Sequence, residues 1–303
     1  MKIAVIGAGA MGSLFGGYLS AQNEVYLIDT DAAKVDVVNR NGLKIHEDGV
    51  EKVFYPTACV DTQALGHMDL IILFVKALFS NSALKANSHL IGPHTYVLTL
   101  QNGSGHEDIL REFVTEDRII IGTTQHNSHV VEPGVISHGG GGTTSIGPLC
   151  GSCGNLQPIA DALNTSGFVT DISDNIQKII WKKLFVNVSV SVLTGVLQVK
   201  MGFLLDNASG WQMVERLLKE AVAVANGDGL GFDEAQVIAD VRTLVDNARE
   251  GLTSIYADLR DGRRTEVDTI SGSVVRASRR NGVQAPCHEF IVQMVHAMEG
   301  RNA

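Results

Sequence analysis

Short runs of β-branched and aliphatic residues recur through the first half of the chain, each followed by a segment with helical or loop spacing. The runs are KIAVIG, EVYLID, DLIILFV, TYVLTL and IIIGTT. Strands of this length alternating with helical stretches predict βαβ units around a parallel sheet. From about Val131 the text changes to EPGVISHGGGGTTSIGP, whose glycines and prolines predict a hairpin closing that domain in preference to a phosphate cradle. Beyond Asp174 the period becomes helical. WQMVERLLKEAVAVANGDGLG and FIVQMVHAMEG carry apolar residues three and four apart, the first stops at Asn-Gly-Asp-Gly, and Pro286 stands where a helix can begin. The expected organisation is an α/β domain over residues 1–172 and an all-helical domain over residues 173–303.

One stretch resists assignment by period alone. In WKKLFVNVSVSVLTG, residues 181–195, valines alternate with Asn187, Ser189 and Ser191 as in a half-buried strand, yet Lys183, Asn187 and Ser191 also fall four apart. In a strand those groups would stand about 13 Å apart per four residues. On a helix they would be about 6 Å apart, close enough to grip one small molecule together.

Gly7, Gly9 and Gly12 spell G-x-G-x-x-G directly after the run KIAVI, with Ala10 and Met11 opening the helix-compatible segment that follows. Glycines at these places permit a tight turn, close approach of backbone to a pyrophosphate, and helix-to-strand packing, and the helix N-terminus supplies amides for the phosphates. The strand before and the helix after raise a weak motif to a Rossmann-type, doubly wound dinucleotide fingerprint. Asp29 ends the second run, 17 residues after Gly12. A carboxylate there accepts hydrogen bonds from ribose hydroxyls and repels a 2′-phosphate, which favours NAD(H) over NADP(H). The bland alternative is that Asp29 or Asp31 caps the next helix. Lys34 and Arg40 lie downstream, within possible reach of a phosphate, and keep NADP(H) open.

Composition narrows the partners. Of 303 residues 45% are apolar, 19% are charged, and the net charge is −9. That balance argues against non-specific nucleic-acid or anionic-membrane binding. The apolar runs fall well short of the roughly 20 residues a membrane helix needs, and the N-terminus lacks the pattern of a secretory signal. A cytoplasmic protein with reduced cysteines is the expectation, and a homodimer is compatible with it. Cys150 and Cys153 in CGSCG have no second pair at zinc spacing, and His126, His129 and His138 have no carboxylate at ligand spacing, so no metal is expected. The basic run in DLRDGRR reads as a solvated helix end.

Taken in order, GAGAMG, VKA at 75–77, LQNGSGHED at 100–108, EPGVISHGGGGTTSIG at 132–147, WKKLFVN at 181–187 and TSIYADLRDGRRTEVDTISG at 253–272 resemble the ketopantoate reductase (2-dehydropantoate 2-reductase) family over nearly the whole chain. The resemblance implies a Rossmann domain followed by an all-helical domain, NAD(P)H as cofactor with the family habit favouring NADPH, and a small 2-oxo acid as substrate. It matches Lys183 to the catalytic lysine and Glu266 to the active-site glutamate. It matches Asn102, Asn187 and Ser254 to substrate-binding positions, Asn102 to the nicotinamide as well, and Lys76 to a cofactor-side lysine. It also selects the helix for residues 181–195, with Lys183 heading a polar row, Lys182 at the helix edge and Ser189 pointing away.

Those residue types suit the chemistry. Reducing a 2-oxo acid delivers hydride to the ketone carbon while a proton reaches its oxygen, and a lysine of lowered pKa serves as the acid. Ser191, the fourth substrate-binding candidate, stands where the family commonly has a second asparagine, Phe79 replaces a glutamine, and the arginine of NADP(H)-using members is absent after the second run. These departures motivate an NAD-dependent D-2-hydroxy-acid dehydrogenase of mandelate type as the alternative within the family. A non-catalytic NAD(H)-binding sensor is the alternative from another class, and Lys183 with Glu266 speaks against it.

Overall fold

The computed structural model describes residues 1–150 and 155–302, which form two compact units. The first comprises Met1–Gln101 and His106–Ile176, the second Asn102–Gly105 and Gln177–Ala303.

Among the described residues of the first unit, twelve strands make two sheets. They are β1 (Lys2–Ile6), β2 (Glu24–Ile28), β3 (Leu43–Glu47), β4 (Val50–Phe54), β5 (Thr57–Cys59), β6 (Leu70–Leu73), β7 (Tyr96–Thr99), β8 (Ile119–Thr124), β9 (Asn127–Glu132), β10 (Val135–Gly140), β11 (Thr144–Pro148) and β12 (Thr170–Ile172). The larger sheet has the order β12-β11-β8-β7-β6-β1-β2-β5. It is parallel except where β11 meets β8. The five runs expected as strands are β1, β2, β6, β7 and β8. Because β6 is buried on both faces, its sequence LIIL shows no alternation. The order reverses at β1, which has β2 on one side and β6 on the other, so the ends of these strands open the crevice where doubly wound sheets bind ligands.

The helices of this unit are α1 (Ala10–Ser20), α2 (Ala32–Asn41), α3 (Ser80–Ala86), α4 (Glu107–Leu110) and α5 (Gln157–Thr165). Helix α1 is sandwiched between the sheets. A Cβ on Gly16 would touch Leu27 of β2, while one on Gly17 would touch Leu43 and Ile45 of β3.

The expected hairpin is present, with β9 and β10 joined through Pro133 and Gly134. It does more than close the domain. Strand β10 pairs in parallel with β3, building a second sheet of order β4-β3-β10-β9. Its other hairpin turns at Asp48 and Gly49, both with positive φ, the Asp-Gly signature of a tight two-residue turn.

The second unit is helical: α6 (Ile176–Val186), a π-helical turn at Asn187–Ser191, α7 (Val192–Leu197), α8 (Met201–Asp206), α9 (Ala208–Gly227), α10 (Glu234–Asn247), α11 (Ser254–Arg260), α12 (Ser271–Asn281) and α13 (Pro286–Glu299). Helix α6 takes its first residue, Ile176, from the preceding unit. Helix α9 stops at the Asn-Gly-Asp-Gly signal and α13 starts at Pro286. The core gathers Trp181, Leu184, Phe185, Val188, Leu217, Leu218, Val222, Val274 and Val295.

Helical residues Ile176–Leu197 form one stretch long and apolar enough to span a membrane by length and composition, which reading separate apolar runs did not show. Within its most apolar window 67% is buried inside the protein, as befits a core helix.

Candidate functional site

The fingerprint glycines are fixed by contact. Gly7 has φ +103°, a conformation costly for other residues, and any Cβ there would lie 2.7 Å from the amide nitrogen of Val75. A Cβ on Gly12 would come within 1.8 Å of the Gly7 carbonyl oxygen. Gly9 differs, since its missing Cβ faces open space with no heavy atom within 4 Å. It is also the N-cap of α1 and makes no side-chain cap. The first amides of α1, at Ala10 and Met11, thus stand at a helix terminus suited to an anion.

Beside this turn a cavity of about 620 Å³ is lined by Gly7, Gly9, Asp29, Lys34, Lys76 and Phe79, among others. Asp29 Oδ2 accepts from the Ala8 amide at 2.8 Å and from Lys34 Nζ at 3.1 Å, and Oδ1 accepts from the Asp31 amide at 3.0 Å. The cap of α2 falls to Asp31, which accepts from the amides of Ala33 and Lys34. That leaves Asp29 at the cavity wall. Arg40 is paired with Asp36 on the exposed face of α2 and does not line the cavity. Lys34 does. Lys76 is held on its loop by a residue the sequence did not single out. Buried Gln101 donates from Nε2 to the Val75 carbonyl at 2.5 Å and to Ser80 Oγ at 2.9 Å, while its Oε1 accepts from Thr99 Oγ1.

The donor set fits a nicotinamide dinucleotide. The Cβ-free opening at Gly9 and the amides of α1 suit the pyrophosphate, and Asp29 suits a ribose. Phe79 is about half exposed at the same wall.

In the helical unit, Lys183 lies in the last turn of α6 and is partly buried, while Lys182 is exposed, as expected of a helix edge. Burial pushes the Lys183 ammonium below its ordinary value, opposed by the nearby Glu266 carboxylate. Glu266 sits between α11 and α12, and its Oε2 accepts from Asn102 Nδ2 at 3.4 Å. The short segment 102–105 is tied to the loop after Glu266, with Ser104 donating its amide to the Thr269 carbonyl at 2.9 Å. A Cβ on Gly103 would lie 2.1 Å from that carbonyl oxygen, so only glycine allows the approach. Lys183, Glu266 and Asn102 are thus brought together from three places in the chain.

The helix expected at residues 181–195 is present, but its middle is wider than expected. The turn from Asn187 to Ser191 is π-helical. An i→i+5 turn takes one residue more than an α turn, so Ser191 is not stacked squarely one turn beyond Asn187. Ser191 is 4% exposed, and its carbonyl accepts from the hydroxyls of Thr194 and Thr253. Ser189 points away as expected: it is fully buried and donates to the Phe185 carbonyl at 2.6 Å, a local bond that competes with the helical ladder. Asn187, the first residue of the π turn, is partly buried. Ser254 is exposed at the start of α11, whose cap is the neighbouring Thr253.

His126 lies between β8 and β9, His129 on β9 and His138 on β10. His126 Nδ1 lies 3.0 Å from His138 Nε2, and His138 Nδ1 bonds Glu47, which also accepts from Tyr18 and Lys52. Burial would raise Glu47, but the bonds from Lys52, Tyr18 and His138 outweigh it and hold the carboxyl at about 2. This chain bolts the smaller sheet to α1. Cys150 is exposed, and Cys153 lies outside the described residues. Arg260 ends α11 and pairs with Asp261, and Arg263, just beyond it, pairs with Asp258 and Asp261.

Residues 3–151 match the family described as ketopantoate reductase PanE/ApbA, and residues 175–299 match its C-terminal part. The chain belongs to the ketopantoate reductase family. It is therefore an oxidoreductase. A relative from Halobacterium salinarum named 2-dehydropantoate 2-reductase is 32% identical over 97% of this chain and 98% of its own. One of the same name from Lactococcus lactis is 34% identical over 99% and 98%. Among solved structures, D-mandelate dehydrogenase with NADH and anilino(oxo)acetate is 34% identical with TM-score 0.92, over 100% of this chain and 99% of its own. A PanE/ApbA family ketopantoate reductase from Ralstonia eutropha JMP134 is 27% identical with TM-score 0.90, over 100% and 99%.

Proposed function

We propose that this ketopantoate reductase family member reduces 2-dehydropantoate to pantoate with NADH, using Lys183 as the general acid. The observation that carries it is the partly buried Lys183 ammonium, lowered by burial and facing Glu266, in a chain similar end to end to proteins named 2-dehydropantoate 2-reductase. When bound, the nicotinamide supplies the hydride for the ketone carbon. Lys183 gives its proton to the ketone oxygen, leaving a hydroxyl, and regains a proton from solvent. As a cation it also stabilises the negative charge that develops on that oxygen. Glu266 orients the ammonium, Asn102 braces Glu266, and Asn187 and Ser254 hold the substrate without adding charge. Lys76 and the amides of α1 hold the cofactor's phosphates.

NADH is favoured because Asp29 lines the cavity and leaves the cap of α2 to Asp31. A second reading, an NADH-dependent reductase of bulky aromatic 2-oxo acids, is supported by the likeness to D-mandelate dehydrogenase and by Phe79 at the cavity wall. Initial rates with NADH and NADPH, each against 2-dehydropantoate and benzoylformate, separate the readings. Higher kcat/KM for 2-dehydropantoate with NADH is the expected result. Preference for benzoylformate transfers the assignment to the second reading, and no turnover with any 2-oxo acid removes both.

A further inference from the structure

The loop that carries Glu266 is anchored on its far side by the C-terminal helix. Thr265, immediately before Glu266, is buried. It gives both its hydrogens to one oxygen of Glu299, the amide at 2.8 Å and the hydroxyl at 2.7 Å, and the same hydroxyl oxygen accepts from the Val267 amide at 3.2 Å. The other oxygen of Glu299 lies 3.1 Å from His296 Nδ1, and His296 Nε2 lies 3.0 Å from Asp268 Oδ1. Residues 265 and 268, on either side of Glu266, are therefore tied to one turn of α13.

We infer that Glu299 and His296 are positioning residues for Glu266: α13 sets the height and direction of the Glu266 carboxylate through Thr265 and Asp268, and so sets how well Glu266 aligns Lys183. The inference rests on the proposed role of Glu266. A lone structural staple would need one such bond, whereas here each end of the short Glu266 segment has its own. Thr265 alone takes part in three hydrogen bonds, two to Glu299 and one from the Val267 amide.

The anchor is pH-sensitive. The charged groups facing His296 are Asp268 from the loop and Glu299 on its own helix. Burial lowers the imidazole, but Glu299 and Asp268 outweigh it and hold it above its ordinary value of 6.5. Protonated, the ring donates to both carboxylates; neutral, it donates to one only. A raised folded-state value means that the contribution is complete below the ordinary imidazole range and is lost as pH rises through the raised value.

The test uses the full-length enzyme, with steady-state kinetics against pH and NADH binding measured in parallel. Thr265→Val keeps the shape, removes the hydroxyl, and should lower kcat with the 2-oxo acid about tenfold while the NADH dissociation constant stays within about twofold. Thr265→Ser restores the bonds and should return kcat to within about twofold of the parent. His296→Leu should remove the part of the pH profile that lies just above the ordinary imidazole range. Wild-type kcat in Thr265→Val alongside an inactive Glu266→Gln overturns this inference alone. An active Glu266→Gln overturns the role of Glu266 and this inference with it. Equal losses of turnover and NADH binding in Thr265→Val reduce the anchor to a structural staple and also overturn it.

Discussion

The cavity beside the glycine turn and the Lys183 cluster are built by opposite means. The cavity's edge at the glycine fingerprint is made from backbone: a turn with no room for a Cβ at Gly7 or Gly12, an open face at Gly9, and an uncapped helix end. The Lys183 cluster is made from side chains on three separated segments, with Glu266 in a loop and Asn102 on a short segment that groups with the helical unit. Backbone sites leave a compact motif because one local conformation does the binding. Side-chain clusters leave single residues scattered through the text, which acquire meaning only when tertiary structure gathers them.

The contrast is broken most severely at Gly12. An added Cβ would meet the Gly7 carbonyl at 1.8 Å, and a backbone contact cannot rotate away. Gly12→Ala should weaken NADH binding by at least about a hundredfold, read by fluorescence titration of the nucleotide. Lys183→Ala should do the reverse. It should bind NADH as the parent does yet lose about 10²- to 10⁴-fold in kcat, the usual worth of a positioned general acid. If Gly12→Ala bound NADH normally, or if Lys183→Ala kept its turnover, the division of labour between backbone and side chains would fail.

A smaller effect is expected at Asp29, the side chain proposed to favour NADH. Asp29 has three donors already, the amides of Ala8 and Asp31 and the Lys34 ammonium. Asp29→Asn should raise KM for NADH about tenfold and leave Lys34 without its partner, so NADPH should gain relative to NADH. An unchanged NADH to NADPH ratio of kcat/KM would remove Asp29 from cofactor selection.

How much of this was legible follows the same contrast. The five strands that build the switch point were readable because their runs are short, aliphatic and bounded by turn residues, and the glycine fingerprint sat in its proper frame. The hairpin of β3 and β4 was missed although Asp48-Gly49 announces it, because HEDGVEK is polar and its strand β4 is exposed along most of its length. The helix at residues 181–195 was chosen against a valine-rich alternation, and the choice held. Its π turn was not legible, since periodic reasoning assumes a constant turn and Ser189 spends its hydroxyl on the Phe185 carbonyl instead. Gln101 and Thr253 act through hydrogen bonds to distant backbone, and Thr265 through hydrogen bonds to the distant Glu299 carboxylate, none of which leaves a spacing to read.

The mildest prediction concerns stability and tests whether the Lys183 cluster is strained. Burial lowers the folded-state pKa of Lys183, so the unfolded chain holds a proton more tightly at this residue than the folded one does. Where the unfolded state binds more protons, stability rises with pH, and the buried ammonium therefore costs stability at neutral pH. Lys183→Met retains an unbranched apolar stem and removes the charge. The variant should melt at a higher temperature than the parent at pH 7, with the gap narrowing as the pH rises toward the ordinary lysine value, where the parent loses the charge in both states. Thermal melts of both proteins from pH 6 to pH 10 read this directly. A variant that melts lower at every pH would mean that Glu266 outweighs the burial cost and that the lysine is held for stability as well as for proton transfer.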